Sequence, residues 1–173
     1  MVQYAEYSAP FGTLLLEAEG EKLVGLWMNR SVQELCFPSE KRTQSPVLWD
    51  GKGVLADAVA WLDGYFRGEV RQIAFPLAPK GTAFQKLVWQ RLLEIPYGET
   101  VSYGAIAREI GEALGKEQMS AQAVGQAVGK NPIGIIIPCH RVVGAKGQLT
   151  GYAGGIDKKI WLLNHEGWKG ETK

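Results

Sequence analysis

The sequence predicts an α+β protein in two parts. A small N-terminal antiparallel sheet with a helix spans residues 1–78. A mainly helical C-terminal domain spans residues 79–173 and carries a winged helix-turn-helix and the candidate active-site Cys139. Three observations predict this. Short runs rich in β-branched and apolar residues, separated by turn residues, fill the first 29 positions. From Val54 to Tyr65 apolar residues recur at helical spacing. After the Pro/Gly-rich stretch Pro76-Leu77-Ala78-Pro79-Lys80-Gly81, the rhythm changes to short helices that open on capping residues.

In order, Tyr4 to Tyr7 reads as a strand and Pro10-Phe11-Gly12 as a turn. Thr13 to Ala18 is a second strand, Glu19-Gly20-Glu21 a second turn, and Leu23 to Met28 a third strand. Together they predict an antiparallel meander. Residues 30–46, polar and holding Pro38 and Pro46, read as a loop. A helix is expected from Val47 to Phe66, with Val54, Leu55, Ala58, Trp61, Leu62 and Tyr65 facing a core and Gly68 ending it. Ile73 to Leu77 is one further candidate strand.

In the second part, Thr82 is placed to cap a helix through Phe84, Leu87, Val88, Leu92 and Leu93, which Ile95-Pro96-Tyr97-Gly98 breaks. Ser102 caps a second helix with Ile106 and Ile110 on one face, and Ser120 opens a third. This pair reads as a helix-turn-helix. The third helix is built almost wholly from Ala, Gly, Gln and Val. Such small residues suit either a close approach to DNA or tight packing on a neighbour, and composition leaves both open. A last helix is expected from Asp157 to His165 with Ile160, Trp161, Leu162 and Leu163 on its core face.

The most informative stretch lies between, from Asn131 to Val143. Three consecutive isoleucines, Ile135 to Ile137, predict a short buried extended segment. Pro138 removes a backbone donor and fixes a turn. Cys139 and His140 follow at once, a thiol beside an imidazole, which is a candidate nucleophile with a base at hand. An inert buried Cys beside a structural His is the alternative. Gly144-Ala145-Lys146-Gly147 reads as a hairpin-like turn. Gly151, Gly154 and Gly155 around Tyr152 suggest a loop whose backbone approaches a ligand or another segment.

Composition narrows the classes. With 173 residues, 46% hydrophobic and 21% charged, the chain can bury a core without staples. No apolar run approaches the roughly 20 residues of a membrane span, and the N-terminus lacks the features of a secretory signal. A cytoplasmic location is therefore expected, with Cys36 and Cys139 as free thiols. Two Cys and two His lack metal-ligand spacing, so no metal is expected. No phosphate-cradling glycine loop is present. Residues 1–78 hold seven Lys/Arg against ten Asp/Glu, a net −3, and residues 79–173 hold twelve against eight, a net +4. That asymmetry is compatible with a nucleic-acid face in the second part.

Several motifs together resemble the O6-alkylguanine-DNA alkyltransferases. They are Ile137-Pro138-Cys139-His140-Arg141-Val142-Val143, Gly151-Tyr152-Ala153-Gly154-Gly155, Trp161-Leu162-Leu163 followed by His165-Glu166-Gly167, Val101-Ser102-Tyr103, and Ala123-Val124-Gly125 ahead of Asn131-Pro132. The resemblance is dense over residues 80–168 and extends to the first 78 only in layout.

It implies direct-reversal repair. An O6-alkylguanine in double-stranded DNA, with O4-alkylthymine as a second candidate substrate, is flipped from the duplex and gives its alkyl group once, irreversibly, to Cys139. His140 takes the thiol proton through a water, Glu166 orients the imidazole, and Asn131 holds the turn around the site. Tyr103 donates to the leaving purine. Val128, Val142, Tyr152, Ala153 and Gly154 line the pocket. Gln85, Ser102, Ala121, Gln122, Ala123, Gly125 and Arg141 meet DNA, the helix from Ser120 entering a minor groove of about 6 Å. The resemblance further implies no cofactor and a protein expected to act as a monomer. One departure stands out: Gln122 occupies a position where the family commonly carries Arg, which implies weaker, less salt-sensitive DNA binding. The N-terminal part also lacks the zinc-ligand set of some relatives. Three rivals remain: a module that binds alkylated bases without transfer, a thiol hydrolase, and a helix-turn-helix regulator.

Overall fold

The computed structural model describes residues 1–35 and 47–170. Cys36, Pro38 and Pro46 lie outside the described residues. The chain divides into two compact units, Met1–Pro79 and Lys80–Lys173.

In the first unit, β1 (Val2–Ala9), β2 (Gly12–Glu19) and β3 (Lys22–Met28) form the expected meander. The β1–β2 register runs from Val2 opposite Glu19 to Ala9 opposite Gly12, which leaves Pro10-Phe11 as a two-residue loop. Leu14, Leu16 and Ala18 share one face of β2 and all are buried. A short helix, α1 (Val32–Leu35), begins within the predicted loop.

The expected helix from Val47 starts later than its apolar spacing suggested. Val47–Leu48 instead forms β4, parallel to β1, giving the sheet order β3-β2-β1-β4. Gly51 and Gly53 follow at φ 86° and 73°. A helix cannot run through backbone in that region, so α2 (Val54–Phe66) begins only beyond them. It packs across β1, β2 and β3 and buries the six apolar residues named from the spacing. At its end Gly68, at φ 87°, donates to the Tyr65 carbonyl while Glu69 donates to that of Gly64. This is the left-handed close that a glycine permits. The candidate strand Ile73–Leu77 reduces to one bridge, Leu77 beside Leu23.

The second unit is helical. Thr82 and Gln85 make a reciprocal capping box at the start of α3 (Ala83–Leu92). The buried Trp89 on this helix donates its indole N–H to the Ala127 carbonyl at 2.8 Å. That bond ties α3 to α5 (Ala121–Gly129). Ser102 caps α4 (Tyr103–Ala113), its hydroxyl accepting from the Ala105 N–H. Ser120 caps α5, accepting from Gln122 and Ala123. Ile106 and Ile110 of α4 and Val124, Ala127 and Val128 of α5 are buried where the helix pair packs. The packing reading holds for the inner face of α5, while Ala121, Gln122, Gln126 and Gly129 are exposed on the other.

β5 (Val101–Ser102) and β6 (Val142–Val143) form a parallel pair. The turn after β6 is closed by Gly144 N–H to the Gln148 carbonyl at 2.7 Å, and residues 148–150 form no strand, so it is a turn without a hairpin. Finally, α6 (Ile156–His165) buries Leu162 and Leu163 as expected. Ile160, placed on the core face from sequence, is 39% exposed, and Lys159 is buried in its stead.

Candidate active site

The Ile135–Ile137 segment is buried but not extended. Ile135 adopts φ 66°, a conformation that a β-branched residue rarely takes. Asn131 holds the turn, its amide donating to the Ile137 carbonyl at 2.9 Å while its oxygen accepts from the Ile133 N–H at 3.0 Å. Strand propensity lost here to a side-chain clasp on the backbone. The clasp delivers the chain through Pro138 into a single 3-10 turn, Cys139–Arg141, that sets three candidate site residues in a row.

Cys139 is 7% exposed. Burial pushes its thiol pKa up. The Asn131 amide, the Lys159 ammonium, the backbone and the Tyr152 hydroxyl all pull the other way. Burial wins, so the thiol is protonated at neutral pH and needs a base. His140 is fully buried, and its Nε2 lies 2.5 Å from Oε2 of Glu166. Its Nδ1 is buried and takes no hydrogen bond among the described residues. In the neutral ring the nitrogen against the carboxylate carries the proton, leaving Nδ1 as the acceptor. Burial lowers the His140 pKa, as do Arg141 and Lys159, against the pull of Glu166.

Glu166 caps α6 and is 6% exposed. Burial alone would raise its pKa, but His140 and Arg141 outweigh that and hold it well below the usual carboxylate range. Its second oxygen accepts from Arg141 Nε at 2.7 Å and from the Gly98 N–H at 3.1 Å. Arg141, expected at the DNA surface, is therefore a correction. It is 9% exposed, and its guanidinium is engaged by Glu166 and by the Ile95 carbonyl at 2.7 Å. A buried guanidinium needs such partners to offset its desolvation.

Around the thiol, Tyr103 is half-buried. Burial raises its pKa, a hydrogen bond with Thr150 lowers it, and Cys139 raises it further. Gly125 lies against its ring. The Lys159 ammonium sits 5.9 Å from the Tyr103 ring centroid and donates to the carbonyls of Val142 at 2.6 Å and Thr150 at 3.0 Å. Desolvation depresses its pKa to about 8. Val142, expected to line the pocket, is buried, with one lone pair of its carbonyl taken by Lys159. Val128 is buried at the end of α5, Gly154 is buried, and Ala153 is exposed in the loop before α6.

Of the residues expected at DNA, Ala121 and Gln122 are exposed, while Ala123 and Gly125 are half-exposed. The Ser102 hydroxyl and the Gln85 side-chain oxygen are engaged in caps. Sequence reasoning missed Lys159 and the Gly98 N–H. A signal for Lys159 existed: positions 159, 162, 163 and 166 fall on one helical face, so the stripe that buries Leu162 and Leu163 carries Lys159 and Glu166 at its two ends. Among the described residues, no three His, Cys, Asp or Glu side chains group as metal ligands, and no helix is long and apolar enough to cross a membrane.

A buried thiol, an imidazole and a partnered carboxylate beside a helix-turn-helix define a cysteine-nucleophile protein of the DNA-binding kind. Comparison with known proteins agrees. Residues 2–79 match the ribonuclease-like domain of 6-O-methylguanine DNA methyltransferase, and residues 83–168 match its DNA binding domain. A methylated-DNA–protein-cysteine methyltransferase of Mycobacterium leprae is 46% identical over 96% of this chain and 93% of its own. One from Methanosarcina acetivorans is 43% identical over 95% and 97%. The Mycobacterium tuberculosis OGT solved in complex with DNA superposes with TM-score 0.79 at 43% identity, over 95% of this chain and 92% of that one. The chain belongs to the methylated-DNA–protein-cysteine methyltransferase family.

Proposed function

We propose that the protein repairs double-stranded DNA by taking the alkyl group of an O6-alkylguanine onto Cys139, once per molecule, as a monomer and without a cofactor. The observation that carries this reading is the His140–Glu166 contact, made by the residue next to Cys139 in the same turn, with Nδ1 of the imidazole left as an acceptor. Family membership and the DNA complex of the tuberculosis relative support DNA as the partner.

The small residues Ala121, exposed, and Ala123 and Gly125, half-exposed, fit α5 to a narrow minor groove, and the damaged base rotates out toward Cys139. The thiol proton passes to His140 Nδ1, directly or over one water. Glu166 stabilises the imidazolium that forms. Lys159 favours the thiolate by its charge. Sulfur attacks the alkyl carbon, an S–C bond forms as the C–O6 bond breaks, and the purine leaves with the electron pair. Tyr103 supplies a hydrogen bond or proton to that leaving group. Its raised pKa keeps the phenol protonated and able to donate. Tyr152, Ala153, Gly154, Val128 and Val142 frame the base. The product is a thioether, which has no good leaving group, and this limits the protein to one turnover.

Intact-mass measurement after incubation with a duplex carrying O6-methylguanine tests the reading. One added methyl per chain, absent in Cys139→Ala, is expected. Binding without added mass would point to a recognition module, and repeated turnover of an ester to a hydrolase.

A further inference from the structure

Glu166 has two cationic partners of different kinds. Oε2 meets His140, whose charge comes and goes, while Oε1 meets Arg141, whose charge does not. Arg141 is itself fixed at both ends, by Glu166 and by the Ile95 carbonyl at 2.7 Å, and the Gly98 N–H seats the shared oxygen. We propose that Arg141 is a positioning residue of the transfer reaction. By neutralising Glu166 permanently it keeps His140 free of a proton at rest, so that the imidazole can accept the one from Cys139. This rests on the reading of His140 as the base.

The argument is a charge count in a buried space. With Arg141 present, ionised Glu166 and neutral His140 sum to zero, and a proton on His140 would leave an uncompensated positive charge. Without the guanidinium, the same carboxylate beside neutral His140 sums to minus one, because the Lys159 ammonium is held apart on the Val142 and Thr150 carbonyls and does not touch Glu166. A proton on the pair then restores neutrality, so the imidazolium becomes the resting state and Nδ1 is no longer an acceptor. When Cys139 gives up its proton in the intact site, thiolate, imidazolium, carboxylate and guanidinium again sum to zero. The constellation is thus balanced before and after that transfer.

The other charged and titratable groups nearby fit this account. From α6, Glu166 raises and Lys159 lowers the proton affinity of His140; from its own turn, Arg141 lowers it. Lys159, with its pKa near 8, is a counter-charge that is partly lost above neutrality. Tyr97, whose ring centroid lies 5.7 Å from the Arg141 guanidinium carbon, brings no charge at neutral pH, because burial and Glu166 raise its pKa. Arg141 is the constant cation of the set.

The test uses the full-length protein with histidine labelled by nitrogen-15. There are only two histidines, His140 and His165, so the imidazole signals are separable. Wild type is expected to show His140 neutral, with the proton on Nε2, at pH 7. In Arg141→Met it is expected to be imidazolium at that pH. Single-turnover methyl transfer from an O6-methylguanine duplex should slow at least tenfold at pH 7, and its acid limb should move at least one pH unit upward. Arg141→Lys, which keeps the charge, should stay near wild type in both readouts. A wild-type His140 already protonated at pH 7 overturns the proposal without any variant. So does an Arg141→Met protein that is slow but has an unmoved pH profile and a neutral imidazole. Should Arg141→Met fail to fold, an imidazolium in Arg141→Lys at pH 7 serves as the overturning result. His140→Asn with undiminished transfer would instead sink the base reading, whatever the protonation state proves to be.

Discussion

Replacing Lys159 by Met keeps the length of an apolar stem and removes one buried ammonium. Two opposing contributions follow. The carbonyls of Val142 and Thr150 lose a charged donor at 2.6 and 3.0 Å, and losing donors to buried acceptors costs about 1–3 kcal/mol each. Against this, the ammonium's pKa is depressed from its ordinary 10.5 to about 8, so holding the charged form in the fold costs about 3 kcal/mol. The two nearly cancel, and the variant is expected within about 2 kcal/mol of wild type at pH 7. They do not cancel at high pH. The unfolded chain binds the extra proton between the folded and unfolded pKa values, so wild type gains stability as pH rises from about 8 to 10.5. The variant lacks that gain. Urea unfolding of both proteins from pH 7 to 10.5 should show the variant falling behind by up to about 3 kcal/mol. A difference that stays flat with pH, or changes in the other direction, refutes the claim that desolvation dominates at this amine. Alkyl transfer at neutral pH should slow in the variant even where stability is preserved, because the ammonium lowers the pKa of the Cys139 thiol.

Other outcomes are expected from the same physics. Gln122→Arg places a cation on the exposed face of α5, so DNA affinity should rise and the log–log salt slope steepen by up to about one; identical slopes in fluorescence titrations would defeat this. Thr82→Ala removes half of the capping box and should destabilise the protein by about 1 kcal/mol in denaturant unfolding, with no effect on the alkylation rate. Glu166→Gln breaks a buried ionic set and should cost about 3–5 kcal/mol at pH 7. Because the folded pKa of Glu166 is depressed, its stabilisation is present above the ordinary carboxylate value of about 4 and is lost as pH falls below it. Wild type and Glu166→Gln should therefore converge in stability on going from pH 6 to pH 3, and parallel curves would count against the assignment.

What could be read from the chain alone was whatever is written within a few residues. Thr82, Ser102 and Ser120 cap helices because a hydroxyl two or three residues ahead of an amide reaches it in any context. The α2 face repeats at helical spacing whatever it packs against, and the Pro-Cys-His-Arg run identifies the family. Folding in three dimensions settled the remainder. The isoleucine run lost its extended form to the Asn131 clasp, and the helix expected from Val47 was cut short by two left-handed glycines. Lys159 lies inside because carbonyls nine and seventeen residues away accept from it. Arg141 turns inward because Glu166 and the Ile95 carbonyl, 25 and 46 residues distant, meet it there. Charged side chains default to solvent, so only partners brought together by packing can reverse that default, and no local pattern records where such partners will be.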